Sequence, residues 1–150
     1  MSNPGSPVVA KQASAQVRSG ASRADPGPLP PGATTQEFEI VSVIGQGGFG
    51  IVYLARDRAL QRLVAVKEYM PAQLAGRRRD GIVQALNPAQ ADVFERGRRS
   101  FINEARMLAR FSQRGLVEVL RFWEQNGTAY MAMRYYDGAT LAEPDRKSVV

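Results

Sequence analysis

The chain has 150 residues, of which 44% are hydrophobic and 23% charged, a composition typical of one globular domain rather than of a disordered or fibrous chain. A formal charge of +6 favours anionic partners without identifying one. There is no Cys and no His, which excludes disulfides, thiol nucleophiles, imidazole bases and the usual zinc ligands. No signal-peptide stretch and no apolar run of about 18 residues occurs, so we expect a cytoplasmic protein without a membrane segment in this chain.

The first part of the chain has the composition of a flexible leader. Six of the nine prolines lie between Pro4 and Pro31, among Gly, Ala and Ser. A stretch that buries little apolar area cannot offset the entropy lost on ordering, so we predict a disordered leader over residues 1–35. A Pro-rich ligand for a partner is the alternative function of this segment.

After the leader, the sequence predicts three strands. Residues 37–44 and 51–54 are rich in β-branched side chains and flank the glycines of residues 45–50, and residues 63–67 have the apolar density of a buried strand. Residues 72–91 are ambiguous. They include the basic turn-like stretch 77–81, whose arginines we expect to be solvated.

One amphipathic helix of about 18 residues, ending near Phe111, is predicted from the spacing of apolar side chains. Its expected buried face is Phe94, Phe101, Ile102, Ala105, Leu108 and Ala109. Gly97 should weaken the first half of this helix by about 1 kcal/mol relative to Ala. Beyond the helix, residues 117–124 and 128–135 flank Asn126-Gly127, the dipeptide that favours a type I′ β-hairpin.

The glycines of residues 45–50 read Gly-x-Gly-x-x-Gly, a pattern that allows backbone N–H groups to approach phosphate oxygens closely. A dinucleotide-binding fold requires a helix after the glycines, whereas a predicted strand follows here, with only Glu68 near the place of a ribose acid. The phosphate-loop NTPase pattern is absent because no Gly-Lys-Ser or Gly-Lys-Thr occurs. A β-hairpin folded over a triphosphate fits better, since it requires strands on both sides.

A hairpin of this kind also requires a cation, and Lys67 at the end of the third predicted strand supplies one. An ammonium on an apolar strand needs an anionic partner. Glu104, in the middle of the predicted helix, is the leading candidate. The alternatives are that Lys67 extends to solvent from a strand end and that Glu104 pairs with Arg98 or Arg106 on the helix surface.

Taken together, these features resemble the N-terminal lobe of a eukaryotic-like bacterial serine/threonine protein kinase. IGQGGFGIV (residues 44–52) resembles the glycine-rich loop, VAVK (64–67) the lysine strand, and MAMRYYDG (131–138) the fifth strand running into the hinge, with Glu104 in the place of the helix-C glutamate. The resemblance implies an α+β fold: a five-stranded antiparallel sheet with one main helix, helix C. It spans residues 36–142, leaving residues 143–150 as a truncated tail.

By resemblance, ATP is the expected ligand and Lys67 would hold its α- and β-phosphates while Glu104 positions Lys67. Val52 and Ala65 would enclose the adenine, and Met133 would be the gatekeeper. The backbone of Arg134 and Tyr136 would bind the adenine edge. The implied glycine-loop contacts are Ile44, Gly45, Gln46, Gly47, Gly48, Phe49 and Gly50.

The family's later His-Arg-Asp and Asp-Phe-Gly motifs, which supply the base and the magnesium ligands, do not occur in this sequence. We therefore assign no metal ligand, expect Mg²⁺ only with a C-terminal lobe, and expect the chain to be inactive in phosphoryl transfer by itself. A protein substrate is implied only for the complete kinase. A non-catalytic kinase-like interaction module is the alternative. The arginines at 77–79, 96, 98 and 99 favour solvated faces over nucleic-acid binding.

Overall fold

The computed structural model describes residues 27–111 and 118–136. Most of the predicted leader (1–26), the predicted tail (143–150) and the last residues of the predicted hinge, Asp137 and Gly138, lie outside these ranges. No helix within the described part of the chain is long and apolar enough to cross a membrane.

The described residues form two antiparallel sheets and one long helix. The elements are β1 (Thr34–Thr35), β2 (Phe38–Gln46), β3 (Gly50–Asp57), β4 (Arg62–Tyr69), β5 (Ala75–Arg77), β6 (Val83–Ala85), a 3₁₀ turn (Pro88–Gln90), α1 (Ala91–Phe111), β7 (Val119–Gln125) and β8 (Thr128–Arg134). The larger sheet has six strands in the order β1-β2-β3-β4-β8-β7, and the smaller sheet pairs β5 with β6.

The main sheet therefore has one strand more than the five predicted from the sequence. The five long strands are present, but β1 adds two residues at the edge by pairing Thr34 with Glu39. The tight connection is made by Gln36, whose φ is 57°. Such a short strand carries no alternating pattern that a sequence could reveal.

The end of the predicted leader also belongs to the folded unit. Leu29 is 8% exposed, and its backbone N–H donates to the Tyr53 hydroxyl at 2.9 Å. Thr35 is 1% exposed. Residues 27–35 are thus ordered on the sheet rather than part of a free leader, because Leu29 and Thr35 find partners far along the chain.

The main sheet curls until its two ends meet. Trp123 of β7 stacks on Phe38 of β2 with 5.1 Å between ring centroids, although the two strands are far apart in the strand order. Trp123 Nε1 also donates to Thr35 Oγ1 at 2.8 Å. Strand twist accumulated over several strands brings these edges together and encloses the aromatic core.

The ambiguous residues 72–91 contain the small β5–β6 hairpin, which packs on the main sheet. Ala75 and Val83 are buried, and Val83 N donates to Asn126 O at 2.8 Å. Gly81, with a φ of 91°, completes the turn predicted for residues 77–81. The prediction that Arg77 is solvated is wrong: its side chain is 8% exposed because it reaches under the hairpin to a buried carboxylate.

The structure confirms the predicted amphipathic helix, as α1, and the predicted hairpin, as β7 and β8. Phe94, Phe101 and Ala105 are buried in α1, as the helical spacing predicts, whereas Ala109 is exposed. Asn126 and Gly127 have φ values of 55° and 75°, the positive values that a type I′ turn requires.

Candidate nucleotide-binding site

The glycine-rich segment is a tight turn between two long strands. β2 ends at Gln46 and β3 begins at Gly50, and Gly47 N donates to Gly50 O at 3.0 Å across the turn. A Cβ at Gly47 or Gly48 would meet no heavy atom within 4 Å, whereas one at Gly50 would lie 2.5 Å from the backbone oxygen of Glu68. Gly50 is thus required by the neighbouring strand, and Gly47 and Gly48 leave open space beside the turn.

The residues leading into the turn lie on an irregular part of β2. The register with β3 shifts between Val43 and Gly45, so that Gly45 lies opposite Val52 and Gln46 opposite Ile51. Ile44, at this irregularity, is 47% exposed. Phe49 at the tip of the turn is 83% exposed, so its side chain contributes little to the core.

The turn is also fixed to the chain that follows β4. Met70 N donates to Phe49 O at 3.3 Å, and Ala72 N donates to Gly48 O at 3.1 Å. These bonds extend the β3–β4 pairing beyond Gly50 and Tyr69. The carbonyl side of the glycine-rich turn is therefore held by backbone contacts.

A cleft of about 750 Å³ lies beneath this turn. Lys67 of β4, Glu104 of α1, Gly48 and Phe49 all line it. Its remaining walls are Tyr69, Pro71, Gln73, Leu74, Val93, Gly97, Ser100 and Phe101. The structure thus brings the predicted phosphate-holding lysine, the predicted glutamate and the glycine turn to a single cavity.

Lys67 and Glu104 do not form an ion pair within the described residues, although they share this cleft. Lys67 is half-buried and Glu104 is exposed. The alternative partner Arg98 instead contacts Glu95 and Glu124. Each of the two charged groups can therefore be reached from the cleft.

The predicted adenine contacts share the sheet face that carries Lys67. Lys67 lies opposite Val52 on one side, and Ala65, two residues earlier, lies opposite Met133 on the other. Opposed side chains of antiparallel strands project to the same face, as do residues two apart along one strand. Val52, Ala65, Lys67 and Met133 therefore form one continuous surface.

The predicted hinge contacts lie where β8 ends. Arg134 Nε donates to Glu118 Oε1 at 2.7 Å, and Arg134 N donates to Glu118 O at 3.1 Å. The hydrogen bond to Glu118 raises the pKa of Arg134, and the same hydrogen bond lowers the pKa of Glu118. Tyr136 is exposed at the end of the described residues.

On the other face of β4, sequence reasoning missed a buried polar cluster centred on Glu68, which is 0% exposed. Tyr53 donates to one carboxylate oxygen at 2.6 Å, and Tyr130 donates to the other at 2.8 Å. Arg77 Nη2 also donates to Glu68 at 2.7 Å. In the sequence, this cluster is indicated only by Glu68 and Arg77 on either side of a segment without a clear pattern. An acid and an arginine at such a spacing are too common to predict an ion pair.

Burial and charge shift the pKa values within this cluster. Burial, followed by the negative charge of Glu68, raises the pKa of both Tyr53 and Tyr130. Burial opposes the charge on Arg77, but the hydrogen bond to Glu68 and its charge together raise the Arg77 pKa. The cluster therefore holds an arginine cation against a carboxylate, with both tyrosines neutral.

Comparison with known proteins identifies the family. The family described as protein kinase domain matches residues 38–150, about three quarters of the chain. The chain belongs to the protein kinase domain family. The match begins at the first residue of β2 and includes the glycine turn, Lys67 and Glu104.

Individual relatives are bacterial kinases. The chain is 32% identical over 106 residues to the serine/threonine-protein kinase PknD of Chlamydia pneumoniae, a match that covers 71% of this chain and 9% of PknD. It is 30% identical to the probable serine/threonine-protein kinase CPE1738 of Clostridium perfringens, covering 71% of this chain and 13% of that protein. The chain thus spans about a tenth of the length of these curated relatives.

Solved kinase structures share the fold. The structure titled PpkA-294 apo form is 53% identical with a TM-score of 0.70, and the match covers 73% of this chain and 39% of that one. The Mycobacterium tuberculosis PknI kinase domain is 26% identical with a TM-score of 0.51, and the match covers 73% and 37%. The kinase fold here comprises a curled antiparallel sheet and one long helix.

Kinase chemistry uses ATP together with a metal ion. The open space beside Gly47 and Gly48 and the cation of Lys67 fit a polyphosphate. Within residues 27–111 and 118–136, no group of three or more acidic, His or Cys side chains is placed to hold a metal.

Proposed function

We propose that this chain is the ATP-binding lobe of a protein serine/threonine kinase and that the nucleotide phosphates occupy the cleft beneath the glycine turn. The observation that carries the proposal is that Gly48, Lys67 and Glu104 line one cavity. In this assignment α1 is helix C, and the five long strands of the main sheet are the five strands of the kinase lobe.

Charge supports phosphate in this cleft. Lys67 is half-buried and has no ion-pair partner among the described residues, and a partly desolvated ammonium is stabilised by an anion. The glycine turn allows phosphate oxygens to approach the backbone, since Gly47 and Gly48 have no Cβ. Phosphate would therefore supply the charge partner that Lys67 lacks.

Position supports adenine on the adjoining surface. Val52 and Ala65 lie on the same sheet face as Lys67, and Met133 lies opposite Ala65 near the end of β8. In our assignment these apolar side chains pack against the base, and the backbone of Arg134 and Tyr136 binds its edge. The side chain and the backbone N–H of Arg134 both donate to Glu118, so the carbonyl oxygen of Arg134 is the backbone group left for that role.

Within the complete enzyme, this lobe would hold and orient ATP for transfer of its γ-phosphoryl group to a protein hydroxyl. Lys67 would hold the α- and β-phosphates, and Glu104 would orient the ammonium once the nucleotide draws the two groups together. We assign the metal ligands and the base to a C-terminal lobe. Mg²⁺, when bound with ATP, would neutralise phosphate charge.

A nucleotide titration of the 150-residue chain tests this proposal. We expect a Kd on the order of 0.1–1 mM, equivalent to about 4–5.5 kcal/mol, because one lobe supplies only part of the contacts. Lys67→Met should weaken binding at least about tenfold, or about 1.4 kcal/mol. Arg58→Met is the control, since Arg58 is exposed at the opposite end of β3 from the glycine turn.

Equal affinity in Lys67→Met and wild type would remove Lys67 from its assigned role. Absence of nucleotide binding by the folded wild-type chain would contradict the proposal and favour the non-catalytic interaction module. Equal losses in Lys67→Met and Arg58→Met would indicate nonspecific attraction of the anion.

A further inference from the structure

The ion pair between Glu68 and Arg77 closes a short loop of the chain beside the glycine turn. Glu68 lies near the end of β4, and Arg77 ends β5. Their side chains are 0% and 8% exposed, and Arg77 Nη2 lies 2.7 Å from Glu68 Oε1. The backbone between them must therefore turn within residues 69–76.

This closed loop contacts the glycine turn directly. Its amides at Met70 and Ala72 donate to the carbonyl oxygens of Phe49 and Gly48. The loop also forms one wall of the cleft through the side chains of Tyr69, Pro71, Gln73 and Leu74. One segment, residues 70–74, thus lies between the buried ion pair and the proposed phosphate site.

We propose that Glu68 and Arg77 are positioning residues for the glycine-rich turn, acting through segment 70–74. The consequence for nucleotide affinity depends on the proposed function of the cleft. The structural claim is that the ion pair holds segment 70–74 in place and that this segment holds the glycine turn. That claim does not depend on the proposed function.

Each partner of the ion pair is itself rigidly held. Arg77 Nε donates to Gly27 O at 2.9 Å, and Arg77 Nη1 donates to Gly81 O at 3.0 Å. The two oxygens of Glu68 accept from Tyr53 of β3 and Tyr130 of β8. A planar guanidinium bound on three nitrogens has little freedom to rotate, so the pair joins the hairpin firmly to the centre of the sheet.

The contacts of segment 70–74 orient the peptide groups of the turn. The N–H and C=O of a trans peptide unit point in opposite directions. Because the Gly48 carbonyl faces Ala72 N, the amide of Phe49 points away from the segment. An amide in this orientation is available to an anion beside the turn.

The test replaces the ion pair without leaving a buried charge alone. The double variant Glu68→Gln/Arg77→Met removes both charges, while Gln keeps a hydrogen-bonding side chain beside Tyr53 and Tyr130. The matched control is Arg78→Met/Asp80→Asn, which removes an exposed ion pair from the same hairpin. Both variants are made in the full chain, and denaturant unfolding gives the global stability of each.

Amide hydrogen exchange followed by NMR without nucleotide provides the first measurement. We expect amide exchange at Met70 and Ala72 to become at least about tenfold faster in the Glu68→Gln/Arg77→Met variant. The exchange rate of the Ala132 amide in β8 should change only by the amount that the measured change in global stability accounts for. The control should exchange as wild type does. Unchanged exchange at Met70 and Ala72 would overturn the inference, as would equal acceleration at Ala132.

ATP titration of the same proteins provides the second measurement. We expect the Kd to rise about tenfold in the Glu68→Gln/Arg77→Met variant and to stay unchanged in the control. Faster exchange with an unchanged Kd would overturn the positioning role in nucleotide binding. If wild type binds no ATP, the proposed function fails, and the exchange measurement still decides whether the ion pair holds the turn.

Discussion

Gly97 of α1 lies directly against the hydroxyl of Tyr69, so closely that a Cβ added at Gly97 would overlap it. The hydroxyl donates to Phe94 O at 2.9 Å, and the Tyr69 ring packs on Phe94 and Phe101 with centroid separations of 5.3 and 5.9 Å. The helix therefore meets β4 at a contact that only glycine allows.

From this contact we predict that Gly97→Ala is destabilising even though alanine is the better helix former. Overlap with Tyr69 should cost about 1–3 kcal/mol, which exceeds the gain of about 1 kcal/mol in helix propensity. Denaturant unfolding measures the difference. Tyr69→Phe in the Gly97→Ala background should recover part of the loss, and a Gly97→Ala protein more stable than wild type would contradict the contact.

The same glycine shows what the sequence could and could not predict. Helical spacing places Phe94, Phe101 and Ala105 on one buried face, and the structure confirms all three. From the sequence alone, Gly97 predicts only a weakening of the helix. The position requires glycine because of its contact with Tyr69, which lies on a different element. Local periodicity predicts an element and its buried side, but not the residue that will face it.

Long-range polar partners limited the prediction in a similar way. Arg77 is one of several neighbouring arginines in sequence, and only the fold brings it to Glu68. Leu29 lies in a Pro-rich stretch, and only the fold brings its backbone N–H to the hydroxyl of Tyr53. The glycine turn, Lys67 and Glu104 were predictable because the family places them at fixed spacings, and the structure brings them to one cleft.

Two glycines of the turn should respond differently to substitution. Gly50→Ala places a Cβ against the backbone oxygen of Glu68, which cannot move without disturbing β4, so we expect a loss of about 1–3 kcal/mol in unfolding free energy. Gly48→Ala meets no atom and should change stability by less than about 0.5 kcal/mol.

Nucleotide titration completes this pair of predictions. Gly48→Ala should weaken ATP binding several-fold although the protein stays stable, because its Cβ would occupy the space available to phosphate. Both the unfolding free energy and the Kd for ATP must therefore be measured for Gly48→Ala and for Gly50→Ala. Wild-type ATP affinity in Gly48→Ala would show that phosphate does not approach this face of the turn.

Glu104 should matter to nucleotide binding rather than to folding. It is exposed and makes no ion pair with Lys67 within the described residues, so Glu104→Gln should change unfolding free energy by less than about 0.5 kcal/mol. In the presence of ATP, the loss of its negative charge should weaken binding several-fold if it orients Lys67. Asn103→Ala, one residue earlier on the helix, is the control, and equal effects of the two substitutions would contradict a specific role for Glu104.

The tyrosines bound to Glu68 predict how stability depends on pH. Burial, followed by the charge of Glu68, raises the pKa of Tyr53 and Tyr130 above the ordinary value of 10.0. As the pH rises past about 10, the unfolded chain releases these protons before the folded chain does. The free energy of unfolding should therefore be insensitive to these groups below about pH 10 and fall above it, by about 1.4 kcal/mol per pH unit for each tyrosine.

Urea unfolding between pH 8 and 11 measures this slope, and two substitutions assign it. Tyr53→Phe should lower stability at neutral pH, since it removes the hydrogen bonds to Glu68 and Leu29. It should also reduce the alkaline slope by the contribution of one tyrosine, about 1.4 kcal/mol per pH unit. Tyr130→Phe, which removes the other tyrosine bound to Glu68, should reduce the slope by a similar amount. An alkaline slope in Tyr53→Phe equal to that of wild type would show that Tyr53 titrates equally in the folded and unfolded chains, contrary to its burial beside Glu68.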